Sequence, residues 1–289
     1  MFGFPTHLTT SFGEFRTKLN ESEFVLFGVP IDQKSTGRKA ILNGPDCIRR
    51  ASIDLECISL RFNINYDDLK VSDIGNVITL NFEEALETVY EIVNRINKIS
   101  KKSVMIGGEH TFTLPAVKAM NPTHLIVFDA HFDLRNEYLG ERISHTTYLR
   151  RLIEELTNLK VICLGVRGFC REERDFADEI GVLHVFSRDL IKNFSESVKK
   201  LENFARKAKS IYISIDLDVL DPAYMPEVAN PEPEGLTPTM LMDIFTLFKG
   251  KPIVGFDVME LSPSCGWNPA HHLAAKIVYE LMAAIHVKI

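Results

Sequence analysis

The chain has 289 residues, 45% of them hydrophobic and 25% charged, enough apolar material for one large core. A formal net charge of −6 argues against the basic face that nucleic acid or an anionic membrane surface requires. No apolar run approaches the roughly 20 residues that span a bilayer, and the opening "MFGFPTHLTTSFGEF" lacks the basic and apolar regions of a signal peptide.

In chain order, short and nearly continuously apolar runs predict strands at 23–30, 71–77, 103–108, 124–131, 160–168, 181–187, 210–218 and 252–261. Continuous rather than alternating hydrophobicity suits strands covered on both faces, as in a parallel sheet. Helical patterns separate them. "NFEEALETVYEIVNRINKIS" offers Asn81 as N-cap and acids in its first turn, then Leu86, Val89, Ile92, Val93 and Ile96 on one face. "HTTYLRRLIEEL", "FSESVKKLENFARKAK", "TPTMLMDIFTLF" and "PAHHLAAKIVYELMAAI" behave alike. The βα alternation favours one doubly wound α/β domain over residues 1–289. A closed (β/α)8 barrel fits less well because the first helices are poorly marked. The loop "DPAYMPEVANPEPEGLTP" holds five prolines and no helical pattern, and loops of that length inside a compact domain are usually functional. Five cysteines (Cys47, Cys57, Cys163, Cys170, Cys265), odd in number and without C-x-x-C spacing, read as reduced thiols of a cytoplasmic protein, Cys163 as a core residue.

Charge gathers where the strands end. "MIGGEH" supplies Glu109 and His110, "VFDAHFD" supplies Asp129, His131 and Asp133, "SIDLDVLDP" supplies Asp216, Asp218 and Asp221, and "FDVMEL" supplies Asp257 and Glu260. In a parallel sheet these ends share one edge, where ligands bind. Asp129, Asp133, Asp216 and Asp218 bring four negative charges that cannot all ionise together without compensation. Two divalent cations compensate them, with His110 and His131 as neutral imidazole ligands, and this oxygen-rich, thiolate-free set suits Mn²⁺ ahead of Zn²⁺, Co²⁺ or Mg²⁺. Asp221, beside Pro222, reads as a turn residue, and Glu109 as a group steering His110.

In this order, "GGEH", "DAHFD", "SIDLDVLDP" and "DVMELSP" resemble the ureohydrolase (arginase/agmatinase) family, and "GPDCIRRAS" resembles its G-P-x-x-I-R element. The resemblance runs from "FGVPID" to the last helix. It implies a three-layer α/β/α arginase-like fold around an eight-stranded, mostly parallel sheet, two Mn²⁺ ions, and a homo-oligomer, trimer or hexamer. One ion would take His110, Asp129, Asp133 and Asp216, and the other His131 and Asp218 with Asp129 and Asp216 shared. Glu260 would hold a guanidinium, Asp133 would relay a proton to the leaving amine, and His145 of "SHTTYLRR" would serve substrate or proton transfer. "DLRNEYLGERISH" and "ANPEPEGLT" are similar to the agmatinase branch, which implies agmatine as the small guanidino substrate and urea and putrescine as products.

The loop "QKSTGRKAILNG" and the turn Val228-Ala229-Asn230 depart from the family pattern and are expected to face the substrate tail. Arg135 is read as a surface partner of Glu137 or Glu141, the alternative being a place in the pocket facing a carboxylate tail. His271 and His272 are read as packing or surface residues. The rival functions are a ureohydrolase for arginine, guanidinobutanoate or formiminoglutamate, a binuclear phosphoesterase, and a metal-binding scaffold without catalysis.

Overall fold

The computed structural model describes residues 5–79, 81–264 and 266–287. In chain order its strands are β1 (Thr6–His7), β2 (Phe24–Gly28), β3 (Ile58–Ser59), β4 (Ile64–Asn65), β5 (Val71–Val77), β6 (Lys102–Ile106), β7 (His124–Phe128), β8 (Lys160–Val166), β9 (Leu183–Phe186), β10 (Ile211–Asp216) and β11 (Ile253–Met259). Its helices are α1 (Gly44–Ile53), α2 (Phe82–Lys98), α3 (Thr113–Met120), α4 (Tyr148–Glu155), α5 (Arg171–Ile180), α6 (Ser187–Lys192), α7 (Phe194–Arg206), α8 (Pro238–Ile244) and α9 (Pro269–His286). All eight predicted strands form, and they pair in parallel in the order β5-β2-β6-β11-β10-β7-β8-β9. The main sheet has nine strands rather than eight, because β1 adds antiparallel to β5 at the edge. Two residues are too few to leave an apolar signature. Strands β3 and β4 form a separate hairpin.

Burial on both faces explains the continuous apolar runs. Alternate residues of one strand enter different cores: Ile126 and Phe128 join one cluster with α1, α7, α8 and α9, while Leu125 and Val127 join another with α2, α3 and α4. These are the three layers. Helix α2 follows its pattern: the Asn81 side chain accepts from Glu84 N–H at 2.8 Å, and Val89, Ile92, Val93 and Ile96 are buried, with Leu86 half-buried. Helix α5 is unmarked in the sequence because only Glu173 and Ala177 of it are buried, which leaves no apolar stripe. Arg49, the first arginine of "GPDCIRRAS", is itself buried and ties α1 to β5 through a two-pronged pair with Asp73, at 2.8 and 2.9 Å. Among the described residues no helix is long and apolar enough to cross a membrane. Cys57, Cys163 and Cys170 are free, with Cys163 buried, whereas Cys265 lies outside the described residues.

Candidate metal centre and active site

Strands β6, β11, β10 and β7 are neighbours at the middle of the sheet, and the charged residues follow their carboxyl ends. Asp216 ends β10, Asp129 and Glu260 come directly after β7 and β11, and His110 follows β6 across the Gly107-Gly108 turn. That turn needs glycine: both φ values are positive, and a Cβ on Gly108 would come 2.3 Å from the Val29 carbonyl oxygen. Residues 150 apart in sequence thus meet within a few ångströms.

His110 Nδ1 faces three carboxylates, 3.1 Å from Asp129 Oδ2, 3.3 Å from Asp216 Oδ2 and 3.4 Å from Asp133 Oδ2. His131 Nδ1 lies 2.9 Å from Asp218 Oδ2 and 3.5 Å from Asp129 Oδ1. Two ligand sets result, His110–Asp129–Asp216 and Asp129–His131–Asp218, each with donor atoms within 4.8 Å of one another. Asp129 belongs to both and turns one oxygen to each histidine. The remaining oxygens are tied down: Asp216 Oδ1 accepts from Asp218 N–H at 2.8 Å, and Asp218 Oδ1 from Ala130 N–H at 3.0 Å.

Hydrogen bonds behind the cluster fix His110. Ser214 Oγ donates to Asp257 at 2.6 Å and so offers a lone pair to His110 Nε2 at 2.8 Å. With Nε2 donating to Ser214, Nδ1 is the nitrogen that faces the three carboxylates, and as a neutral imidazole it would offer a metal its lone pair. Tyr148 OH is also 3.1 Å from Nε2, and Thr113 donates to Asp257 at 2.9 Å. Asp257, expected among the strand-end acids, sits inside β11 opposite Ser214 and acts through it. Its signal in the sequence is a polar pair inside two strands that are otherwise apolar.

A cation fits this arrangement. His110 Nδ1 and Asp129 Oδ2 are buried and, although 3.1 Å apart, form no well-aligned hydrogen bond among the described residues, a condition that buried polar atoms seldom tolerate. Burial and then the charge of Asp129 push the Asp133 carboxyl up to about 8. Burial and then Asp218 and Asp129 hold Asp216 well above the usual carboxylate range. Burial works the same way on Asp129, yet His110 and His131 beside it bring it below that range. The carboxylates in turn raise His110 and His131 against the effect of burial, so the cluster draws positive charge to itself, a demand that divalent cations would meet. The backbone is strained there as well: Asp133 and Glu260 have φ of 55° and 67°, left-handed values that cost other residues about 1–3 kcal/mol.

Glu260 lies beside this cluster with one oxygen committed and one free. Oε1 accepts from His110 N–H at 2.7 Å, while buried Oε2 has no partner among the described residues. Burial, with Glu109 and Asp218 nearby, raises its pKa. Burial likewise lowers His145 to about 4, leaving a neutral imidazole at neutral pH, and Thr36 Oγ1 holds its Nε2 at 3.0 Å.

The cleft over the cluster has a volume of about 430 Å³ and is lined by His131, Asp133, Arg135, His145, Asn230 and Glu232 among others. Thr36 and Ala229 line it too, so both loops expected at the substrate tail do face it. Two expectations need correction. Arg135 pairs with neither Glu137 nor Glu141. It lines the cleft, its Nε 3.8 Å from Glu173 Oε2 and its guanidinium 5.0 Å from the Tyr138 ring centroid. Glu141 is taken by Lys34, and Glu173 is brought near by α5 from 38 positions away. Glu109 steers not the His110 ring but the loop holding Thr36, by accepting from Lys34 N–H at 2.8 Å. His271 does pack, buried 2.6 Å from Glu227, while His272 pairs with Asp54 at 3.5 Å. Asp221 is the expected turn residue, accepting from Ala223 and Gly235 N–H.

Arg167, unmarked in the sequence, donates to the carbonyls of Gly165, Asp218, Val219, Leu220, Glu232 and Pro233 at 2.7–3.3 Å. One guanidinium thus holds the Asp218 loop against the rim of the cleft.

A profile of the arginase family matches residues 22–284. The chain is 34% identical to the agmatinase of Pyrococcus horikoshii over 265 residues, 90% of this chain and 91% of that protein. It is 32% identical to the N(1)-aminopropylagmatine ureohydrolase of Thermococcus kodakarensis over 270 residues, 92% of this chain and 91% of that one. The crystal structure of the agmatine ureohydrolase of Thermoplasma volcanium superposes with a TM-score of 0.84 at 32% identity, covering 92% of this chain and 90% of that chain. On sequence, fold and a buried carboxylate–histidine cluster at the sheet's carboxyl edge, the chain belongs to the arginase family and is an enzyme of the ureohydrolase type.

Proposed function

We propose that the chain, as one domain over residues 1–289, hydrolyses the guanidinium group of agmatine to urea and putrescine at a binuclear Mn²⁺ centre. The observation that carries this reading is the free, buried Glu260 oxygen beside two ligand sets that share Asp129. One ion is assigned to His110, Asp129, Asp133 and Asp216, the other to His131 and Asp218 with Asp129 and Asp216. Two divalent ions supply a water-derived nucleophile at neutral pH and offset developing negative charge.

The protein's own groups do the rest. Glu260 Oε2 accepts from the guanidinium N–H groups and fixes the reacting carbon over the cluster. Asp133 takes the proton of the attacking water and delivers it to the leaving amine nitrogen. His145, neutral and anchored by Thr36, assists that transfer. A phosphoesterase would need a cationic clamp, and the one lysine or arginine among the described cleft residues, Arg135, is matched by Glu173. The reading includes a cytoplasmic homo-oligomer, trimer or hexamer, and the free Cys57, Cys163 and Cys170 are in keeping with a reducing compartment.

Urea release by Mn²⁺-loaded protein, compared for agmatine, arginine and guanidinobutanoate under identical conditions, tests the substrate. Agmatine is expected to give the highest kcat/KM. Preference for guanidinobutanoate would move the substrate and keep the chemistry, and urea from none of the three would contradict the reading.

A further inference from the structure

The cleft carries three ionised groups beyond the ligand cluster and neutral His145: Arg135, Glu173 and Glu232. Arg135 and Glu173 face each other at 3.8 Å and offset one another. The Glu173 carboxylate is also occupied by Leu134 N–H at 3.2 Å and Cys170 N–H at 2.9 Å. Glu232 is left as the cleft carboxylate without a close ion-pair partner. Its one long ion-pair contact is His131 Nε2 at 4.0 Å, beyond hydrogen-bond reach, and the Arg167 guanidinium that feels its charge spends its N–H groups on backbone carbonyls. The Glu232 side chain is 42% accessible, so the carboxylate stands open to the cleft.

The backbone beneath it is rigid. Pro231 and Pro233 flank Glu232 and restrict its conformation. Arg167 grips the Glu232 carbonyl with Nε at 3.2 Å and Nη2 at 2.7 Å, and that of Pro233 at 2.9 Å. The glutamate stem packs over Gly168, where a Cβ would come 3.0 Å from Glu232 Cγ and 2.9 Å from the His131 ring. A carboxylate pinned in this way meets a ligand without ordering a loop first.

We propose that Glu232 is the specificity-determining residue for the substrate tail, accepting the ammonium of an amine-terminated guanidino compound and disfavouring guanidino acids. This rests on the ureohydrolase reading and deepens it. Glu260 and Glu232 then read the two cationic ends of one molecule, and the Arg135–Glu173 pair leaves no free cation for a carboxylate tail.

The test is Glu232→Gln in the Mn²⁺-loaded full-length enzyme. KM for agmatine is expected to rise about tenfold with kcat within about twofold, the fold-change of a lost partly exposed charge pair. Guanidinobutanoate kcat/KM is expected to rise and the metal content to stay at the wild-type value. An agmatine KM within about twofold of wild type would overturn the proposal. A parallel fall in kcat and metal content would overturn it too, by making Glu232 an orienting partner of His131. Wild-type protein that makes no urea from agmatine would sink the agmatine reading instead. Calorimetric binding of 1,4-diaminobutane then reads Glu232 alone: about tenfold weaker binding in the variant supports the tail subsite, and equal binding overturns it.

Discussion

Asp129→Asn is expected to lower bound Mn²⁺ from two ions per chain to at most one and to cut urea release by at least about 10³-fold. The size of the effect follows from position. Asp129 turns Oδ2 to His110 and Oδ1 to His131, so one substitution removes an anionic donor from both ligand sets. The amide is isosteric, and the surrounding strand is buried on both faces, so the far-ultraviolet circular dichroism should be unchanged. Metal analysis and urea assay on the same sample decide the matter. A variant that keeps both ions and full activity would remove Asp129 from the centre.

Glu260→Gln should behave oppositely toward metal. Both ions stay, because Glu260 contacts the cluster only through His110 N–H, which a glutamine carbonyl oxygen can still accept. What is lost is a buried carboxylate facing a guanidinium, and breaking such a pair costs about 3 kcal/mol or more, roughly a hundredfold in kcat/KM. The loss should persist across guanidino substrates whatever their tail, which separates it from Glu232→Gln. Wild-type kinetics in the variant would take Glu260 out of the site.

Asp129 was legible in the sequence because its surroundings are extreme, whereas Glu260 was marked only as a strand-end acid and its role came from the family resemblance. A carboxylate at the end of a continuously apolar run has no local partner, so "IVFDAHFD" and "ISIDLD" announce an external cation before any fold is known. The eight parallel strands were legible for the same reason, since burial on both faces leaves unbroken apolar runs. What the sequence hid depends on distance. Arg135 has Glu137 and Glu141 as chain neighbours, yet its partner is Glu173, carried in by a helix with almost no apolar stripe. Arg167 bonds only to carbonyl oxygens, which every residue has, so no residue type marks its partners. Ser214 and Asp257 meet only because β10 and β11 are in register, and register is a property of the sheet.

The central proposal is that a pair of divalent ions and Glu260 together cleave an amine-tailed guanidinium. The most direct test is the rate of urea release from agmatine as Mn²⁺ is added stepwise to chelator-treated protein. The rate should rise to a plateau at two equivalents per chain. A plateau at one equivalent, full activity without added metal in protein verified metal-free, or two bound ions with no urea would contradict it.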